Sequence, residues 1–384
     1  MAHTAKLDTK ERGLLPSLEG FFKSILELDD ISAMLIPRHL PMKNMVMPVL
    51  ISDPECMEGV DPLAPAFPMN AAKIVSKLSR KPAGGTVAAV LRPCEIRAVV
   101  ELVKLKQANL DDLLIIGVDC LGAYQNTDYY TFREEKGDDA SLQFCREMLS
   151  GAEAASSDNR LATACRACEH PVPEGADLII QLYGMAVEDG LVIQAEGPDG
   201  EGILKQIALA EAEDLHESRN AAVESVISVR ETYRDDMYSK TRESTNSLEK
   251  LSRYLADCVN CYNCRVACPV CYCRECVFLT DVFDHEPSQY LRWADQKGMI
   301  KMPTDTLFYH LTRIAHMSTA CIGCGQCSNA CPNDIPVMEL FRTASASTQE
   351  AFDYHPGRSV DERPPLSEFR EDEFSDVVGI QAGS

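Results

Sequence analysis

Two runs of one form constrain this chain more than anything else in it: Cys258-Val-Asn-Cys261-Tyr-Asn-Cys264-Arg-Val-Ala-Cys268-Pro269 and Cys321-Ile-Gly-Cys324-Gly-Gln-Cys327-Ser-Asn-Ala-Cys331-Pro332. Both read C-x2-C-x2-C-x3-C-P. Two-residue gaps let a tightly turned loop present three thiolates to one face of a [4Fe-4S] cubane, and where two such runs occur the fourth cysteine of each ligates the other cluster. The spacing assigns Cys258, Cys261, Cys264 and Cys331 to one cluster, and Cys321, Cys324, Cys327 and Cys268 to the other. The proline after each fourth cysteine lacks an N–H and fixes φ, so it ends the turn that presents that cysteine. Gly323 and Gly325 allow backbone amides to approach the sulfurs, and such hydrogen bonds raise a cluster's potential. The alternative is a four-cysteine zinc site, which would use paired C-x2-C knuckles rather than two runs of four.

With 384 residues the chain has room for two or three domains. Its 17 cysteines are odd in number and clustered like metal ligands, which favours a reducing compartment over a disulfide scaffold. The N-terminus lacks the apolar core of a signal peptide and no apolar run reaches the length of a membrane span, so a soluble cytoplasmic protein is expected. A net charge of -22 argues against nucleic acid and anionic lipid. That acidity suits docking to a basic patch on a partner, and equally serves as solubilising surface charge.

Apolar residues at helical spacing predict a helix within Lys10 to Leu28, and short apolar runs at Ile31 to Ile36 and Met45 to Ile51 predict strands. From residue 69 strands and helices alternate: a helix near Asn70 to Leu78, a strand Thr86 to Leu91, a helix from Pro93, a strand Leu113 to Val118. That pattern predicts a parallel α/β layer with its chemistry on the loops after the strands. Cys94, in Arg92-Pro93-Cys94-Glu95, follows one such strand at a helix N-terminus that favours its thiolate, and Cys120 ends the next. With the C-x2-C of Cys165 and Cys168 they make a candidate third quartet, for which Cys145 competes; zinc ligands or free thiols are the alternatives. Cys56, in a proline-rich loop region, reads as a bystander.

Two strands broken at Glu188-Asp189-Gly190 are expected within Asp177 to Ile193, then a long charged helix over Glu201 to Tyr238. Leu248 to Ala256 should deliver the chain helically to Cys258. Between the two runs, Cys271, Cys273 and Cys276 crowd into six residues, either as ligands lacking an obvious fourth or as thiols beside the clusters. Asp281 to Ala320 reads as two helices with Trp293, Phe308 and Tyr309 as packing residues, and His316 as an ordinary histidine. A helix should run from Val337 to about Ala344, and the charged segment to residue 384, with Glu371-Asp372-Glu373, reads as flexible.

The ordered stretches Leu91-Arg-Pro-Cys94-Glu-Ile-Arg-Ala98, Gly117-Val-Asp-Cys120 and Cys165-x2-Cys168-Glu-His-Pro-Val-Pro resemble the coenzyme F420 hydrogenase/dehydrogenase beta-subunit family. The Cys-Pro-Val-Cys-Tyr-Cys-Arg-Glu-Cys ending at Cys276 is most similar to the formate dehydrogenase beta subunits of that family. The resemblance implies an iron-sulfur subunit passing electrons between a formate dehydrogenase or hydrogenase catalytic subunit and a soluble carrier or a heterodisulfide-reductase-like flavoprotein. Family members bind FAD, and many exchange hydride with coenzyme F420. The family's glycine-rich flavin block near the N-terminus has no counterpart in this chain. Ala83-Gly84-Gly85-Thr86 is a short glycine turn, and Gly84 and Gly85 are flavin contacts only if FAD is bound. The expected architecture is an α/β (α+β) domain with a mixed or parallel sheet at 1–245, a mostly helical ferredoxin-like dicluster domain at 246–350, and an acidic tail at 351–384.

Overall fold

Strict alternation of apolar side chains between two faces organises the N-terminal half. The computed structural model describes residues 3–41, 45–151, 160–212 and 216–367. The chain runs β1 (His3–Leu7), α1 (Leu14–Leu26), β2 (Ile31–His39), β3 (Val46–Ile51), α2 (Ala72–Ser79), β4 (Thr86–Leu91), α3 (Pro93–Lys104) and β5 (Leu113–Val118). It continues through α4 (Asn126–Lys136), α5 (Ala140–Leu149), α6 (Thr163–Arg166), β6 (Leu178–Gln181), β7 (Leu191–Ala195), α7 (Gly197–Ile207), β8 (Ala210–Glu211) and α8 (His216–Thr245). The remaining helices are α9 (Leu248–Tyr254), α10 (Asn263–Ala267), α11 (Pro287–Lys297), α12 (Thr306–Met317), α13 (Gln326–Asn329) and α14 (Val337–Ala351).

All eight strands join one sheet in the order β3-β2-β4-β5-β6-β7-β1-β8. The centre, β2-β4-β5-β6, is parallel, and β3, β7, β1 and β8 pair antiparallel at its sides, so the sheet is mixed. Met34, Ile36, Ala88, Val90, Ile116 and Ile180 enter a core with Phe22 of α1 and Phe144 of α5. Their neighbours Leu35, Ala89, Leu91, Ile115 and Ile179 enter a second core on the other face. That second core also holds Ile96 and Val99 of α3 with Tyr309, Ile322 and Phe341, so the C-terminal helical region is seated directly on the sheet layer.

The expected helix over Glu201 to Tyr238 is interrupted. Ala208 takes a left-handed conformation (φ 55°) and ends α7; β8 then pairs with β1 before α8 begins. The break between β6 and β7 is longer than Glu188-Asp189-Gly190 alone, because Leu182 to Gly190 leaves the sheet. In the insert Tyr309 is fully buried, whereas Phe308 is 55% exposed. Beyond α14, Tyr354 Oη donates to both carboxylate oxygens of Glu101 at 2.8 Å and the Gly357 amide donates to the same group at 2.7 Å, which fastens this segment to α3. Glu371-Asp372-Glu373 lies outside the described residues. Among those residues no helix is long and apolar enough to cross a membrane.

Candidate metal centres

The cysteines gather in three groups of four at the carboxyl edge of the parallel strands and in the helical region above it. Cys258, Cys261, Cys264 and Cys331 line one pocket with Tyr309 and His310. Their loop closes because Asn260 and Tyr262 adopt left-handed φ values of 51° and 61° before the short helix α10. His310 Nε2 lies 3.4 Å from Cys258 Sγ, Tyr309 Oη 3.5 Å from Cys264 Sγ, and Arg313 Nη1 donates to Cys264 Sγ at 3.0 Å.

Cys268, Cys321, Cys324 and Cys327 form the second group: Cys321 acts electrostatically on Cys268, and both of these act on Cys324 and Cys327. Burial pushes the Cys268 thiol up to about 11 and raises those of Cys324 and Cys327 as well. Gly323 (φ 71°) and Gly325 (φ 79°) provide the left-handed turns of this loop. The glycines also permit close approach, since a Cβ on Gly325 would come within 2.4 Å of Ala164 Cβ in α6.

The third group joins Cys94, in the first turn of α3, with Cys120 after β5 and with Cys165 and Cys168 in and after α6; their thiols act on one another. Adjacent strand ends explain the first two positions, because β4 and β5 run parallel in register from Val87↔Leu113 to Leu91↔Gly117. Cys120 is held by its own amide, which donates to the Pro171 carbonyl, and by Tyr183 Oη donating to its carbonyl, both at 2.8 Å. At Cys94 the helix N-terminus does not prevail: burial pushes this thiol up, and neighbouring Glu95 adds to the rise. Glu95 is committed to capping, accepting from the amides of Arg92 at 2.9 Å and Ala71 at 2.7 Å.

A common local device recurs. The amides of Asn260, Val270, Gln326 and Gly122 favour the thiolates of Cys258, Cys268, Cys324 and Cys120, each two residues upstream. Sulfur donors in fours, amides close to sulfur, and the buried cations Arg92, Arg230, Arg313 and Arg342 make a soft, charge-compensated donor set that fits iron-sulfur clusters. Among the described residues, no three His, Cys, Asp or Glu side chains converge closely enough for a single ion.

Other predicted positions stand apart. Cys145 is buried in the opposite core beside Phe144. Cys56 and Cys273 are exposed. Cys271 faces Arg313 and Lys73, while Cys276 acts on Tyr262. Gly84 and Gly85 precede β4, at the end of the strand remote from Cys94, and a Cβ on Gly85 would meet Ser32 Oγ at 1.8 Å. His316 is exposed. Sequence reasoning missed His310, Arg313 and Arg342. A signal existed: Thr306, His310, Arg313 and Met317 form the buried stripe of α12, where an arginine needs a reason.

Residues 254–335 match the family described as "4Fe-4S dicluster domain" (Fer4_8). The chain is 29% identical over 330 residues, 78% of its length and 80% of the relative's, to F420-dependent formate dehydrogenase subunit beta of Methanocaldococcus jannaschii. It resembles the beta subunits of F420-dependent formate dehydrogenases. A second such subunit, from F420-dependent formate dehydrogenase 1 of Methanococcus maripaludis, is 28% identical over 309 residues, covering 73% of this chain and 74% of that one. A chain of the F420-reducing [NiFe] hydrogenase complex from Methanosarcina barkeri superposes with a TM-score of 0.43 at 11% identity, covering 64% of this chain and 94% of that chain. The beta-subunit resemblance thus spans both the α/β layer and the dicluster domain, and the latter contains all eight cysteines of the two C-x2-C-x2-C-x3-C-P runs.

Proposed function

We propose that this chain is the iron-sulfur electron-transfer subunit of a cytoplasmic oxidoreductase complex, with three [4Fe-4S] clusters held by the three quartets. The observation that carries the reading is their continuity. Arg313 bonds to Cys264 of the first quartet and acts on Cys268 of the second, and Cys94 of the third acts on Cys324 of the second. When bound, each cluster takes up and passes on a single electron, chemistry that needs no acid or base from the protein. The residues supply thiolates, amide hydrogen bonds and exclusion of water.

Partners of the relatives' kind follow: a formate dehydrogenase or hydrogenase catalytic subunit, or a heterodisulfide-reductase-like flavoprotein. The insert supports docking at the first quartet. Asn260 Nδ2 bonds Asp305 at 3.0 Å, which ties the quartet's loop to α12. Met299 and Phe308, which line one depression with Asp305, are exposed, as is Cys261.

A second reading is favoured by the words "F420-dependent" in the relatives' names. In it the chain carries FAD and exchanges hydride with coenzyme F420 or NAD(H) at its own site. Anaerobic purification with iron, zinc and flavin quantified together separates the readings. About twelve irons per chain and no flavin support the relay. Bound flavin reduced by the deazaflavin or pyridine donor alone establishes the second reading, and zinc in place of iron removes both.

A further inference from the structure

Two buried arginines occupy equivalent places along the path of the quartets. Arg313 donates from Nη1 to Cys264 Sγ at 3.0 Å and from Nη2 to the Cys264 carbonyl at 3.2 Å, and its charge reaches Cys268 and Cys327. Arg342, on α14, donates from Nη1 to the carbonyl of Ala167, inside the Cys165–Cys168 loop, at 2.6 Å. The same side chain fills the space over Gly323, between Cys321 and Cys324, and its charge reaches Cys168. One guanidinium therefore stands between the first and second quartets and the other between the second and third.

Such placement is expensive unless something answers the charge. A buried guanidinium loses several kcal/mol of hydration, on the order of what an excellent partner returns. Arg342 has Glu169. Arg313, only 4% exposed, has no carboxylate partner among the described residues; it lies over the rings of Phe341 and Tyr309, at 4.6 and 5.5 Å. The groups beside it that would carry negative charge as cluster ligands are the sulfurs of Cys264, Cys268 and Cys327.

We infer that Arg313 and Arg342 set the reduction potentials of the two centres that each adjoins, raising them by stabilising the more negative, reduced state. This rests on the three-cluster reading above. A fixed cation acts more strongly on a centre carrying one extra electron, and the low local dielectric enlarges the difference. No bond forms or breaks and no proton moves, because a guanidinium stays protonated throughout. Placing the cations at the junctions makes each hop pass between two centres that share one positive charge.

The test is a redox titration of the anaerobically purified holoprotein, followed by paramagnetic resonance, with iron counted in every sample. Arg313→Gln should cost the first two centres roughly tenfold in the reduced-to-oxidised ratio at fixed potential, about 59 mV for a one-electron couple, and leave the third unmoved. Arg342→Gln should do the same to the second and third and spare the first. Arg313→Lys and Arg342→Lys, which keep the charge, should retain most of the wild-type potential. Unmoved potentials at full iron in the glutamine variants overturn the inference, as does a lysine variant that falls as far. Should a glutamine variant lose iron, wild-type protein carrying heavy-nitrogen arginine decides: its reduced centres must show coupling to arginine nitrogen. A wild-type protein without iron refutes the function reading instead.

Discussion

Gly323 and Arg342 occupy adjoining space so closely that a Cβ on the glycine would lie 2.8 Å from Arg342 Nε. The glycine also sits at φ 71°, in the left-handed region. Gly323→Ala should therefore cost about 1–2 kcal/mol from the backbone alone, with more from displacing a guanidinium that also holds the Ala167 carbonyl. Anaerobic denaturant unfolding measures it. An unchanged midpoint would show that this loop has slack the structure does not display.

Asp119, fully enclosed at the end of β5, receives the amides of Leu182 and Tyr183 at 2.8 and 3.2 Å and both terminal nitrogens of Arg219 in α8. Asp119→Ala strands a buried guanidinium and two amides. The expected loss is about 3–5 kcal/mol, read as a lowered urea midpoint, and Asp119→Asn should recover only part of it. Since Cys120 follows directly, iron in the third quartet should fall in the alanine variant before the first two are affected.

Why some of this was legible in the sequence and some was not follows from where each residue gets its constraint. Spacing within one loop exposed the eight cysteines of the two runs, and strand ends exposed Cys94 and Cys120, because adjacent parallel strands bring their following residues together. The sheet's two-faced alternation was equally local. Arg313 and Arg342 belong to no motif; each earns its position from loops far away in the chain, visible only as a charge on a buried helical stripe. The break at Ala208 was hidden for another reason. β8 forms because β1 offers an edge to pair with, and nothing within Glu201 to Tyr238 announces that edge.

Glu101 is 1% exposed and gathers Tyr354 Oη, the Gly357 amide and Lys104 Nζ, the last at 2.7 Å. Glu101→Ala removes the acceptor that all three share, leaving Lys104 to Glu362 at 3.6 Å and Pro356 to Arg97 at 2.8 Å. The segment after α14 should detach, so limited proteolysis should cut between Phe352 and Arg358 in the variant while the wild type resists there. Arg97 links this segment to the second quartet's loop, donating from Nη2 to the Pro356 carbonyl at 2.8 Å and from Nη1 to the Ile322 carbonyl at 3.3 Å, so iron is counted in both proteins. Equal protection of the two proteins would mean the segment is held elsewhere.

Cys145, fully buried, and Cys165, partly buried, carry opposite expectations. Cys165, pushed up to about 12 by burial, belongs to the third quartet; Cys165→Ser should lower iron from about twelve to about eight per chain. Cys145 lies in the apolar core across the sheet. Cys145→Ser should keep all its iron and lose about 1–3 kcal/mol for burying a hydroxyl. Iron loss in the Cys145 variant would return that residue to the candidate ligands.

Removal of iron should unfold the loops without dissolving the sheet. Helices α10 and α13 have five and four residues, far below the dozen or so that an isolated helix needs to persist in water, so their shape depends on what the thiolates grip. β4 and β5 instead keep both faces covered by α1, α3 and α5, which carry none of the twelve quartet cysteines apart from Cys94 at the start of α3. Treating the anaerobic protein with a chelator and following amide hydrogen exchange should therefore strip protection from residues 258–268 and 321–331, while the amides of Val87 to Leu91 and Leu114 to Val118 keep theirs. Tyr309 and Phe341 sit in the core shared with the sheet, so α12 and α14 should lose only part of their protection. Uniform exchange across all these segments would mean that the clusters are needed for the α/β layer itself to fold, and that the two regions form one cooperative unit rather than a stable platform carrying a metal-dependent one.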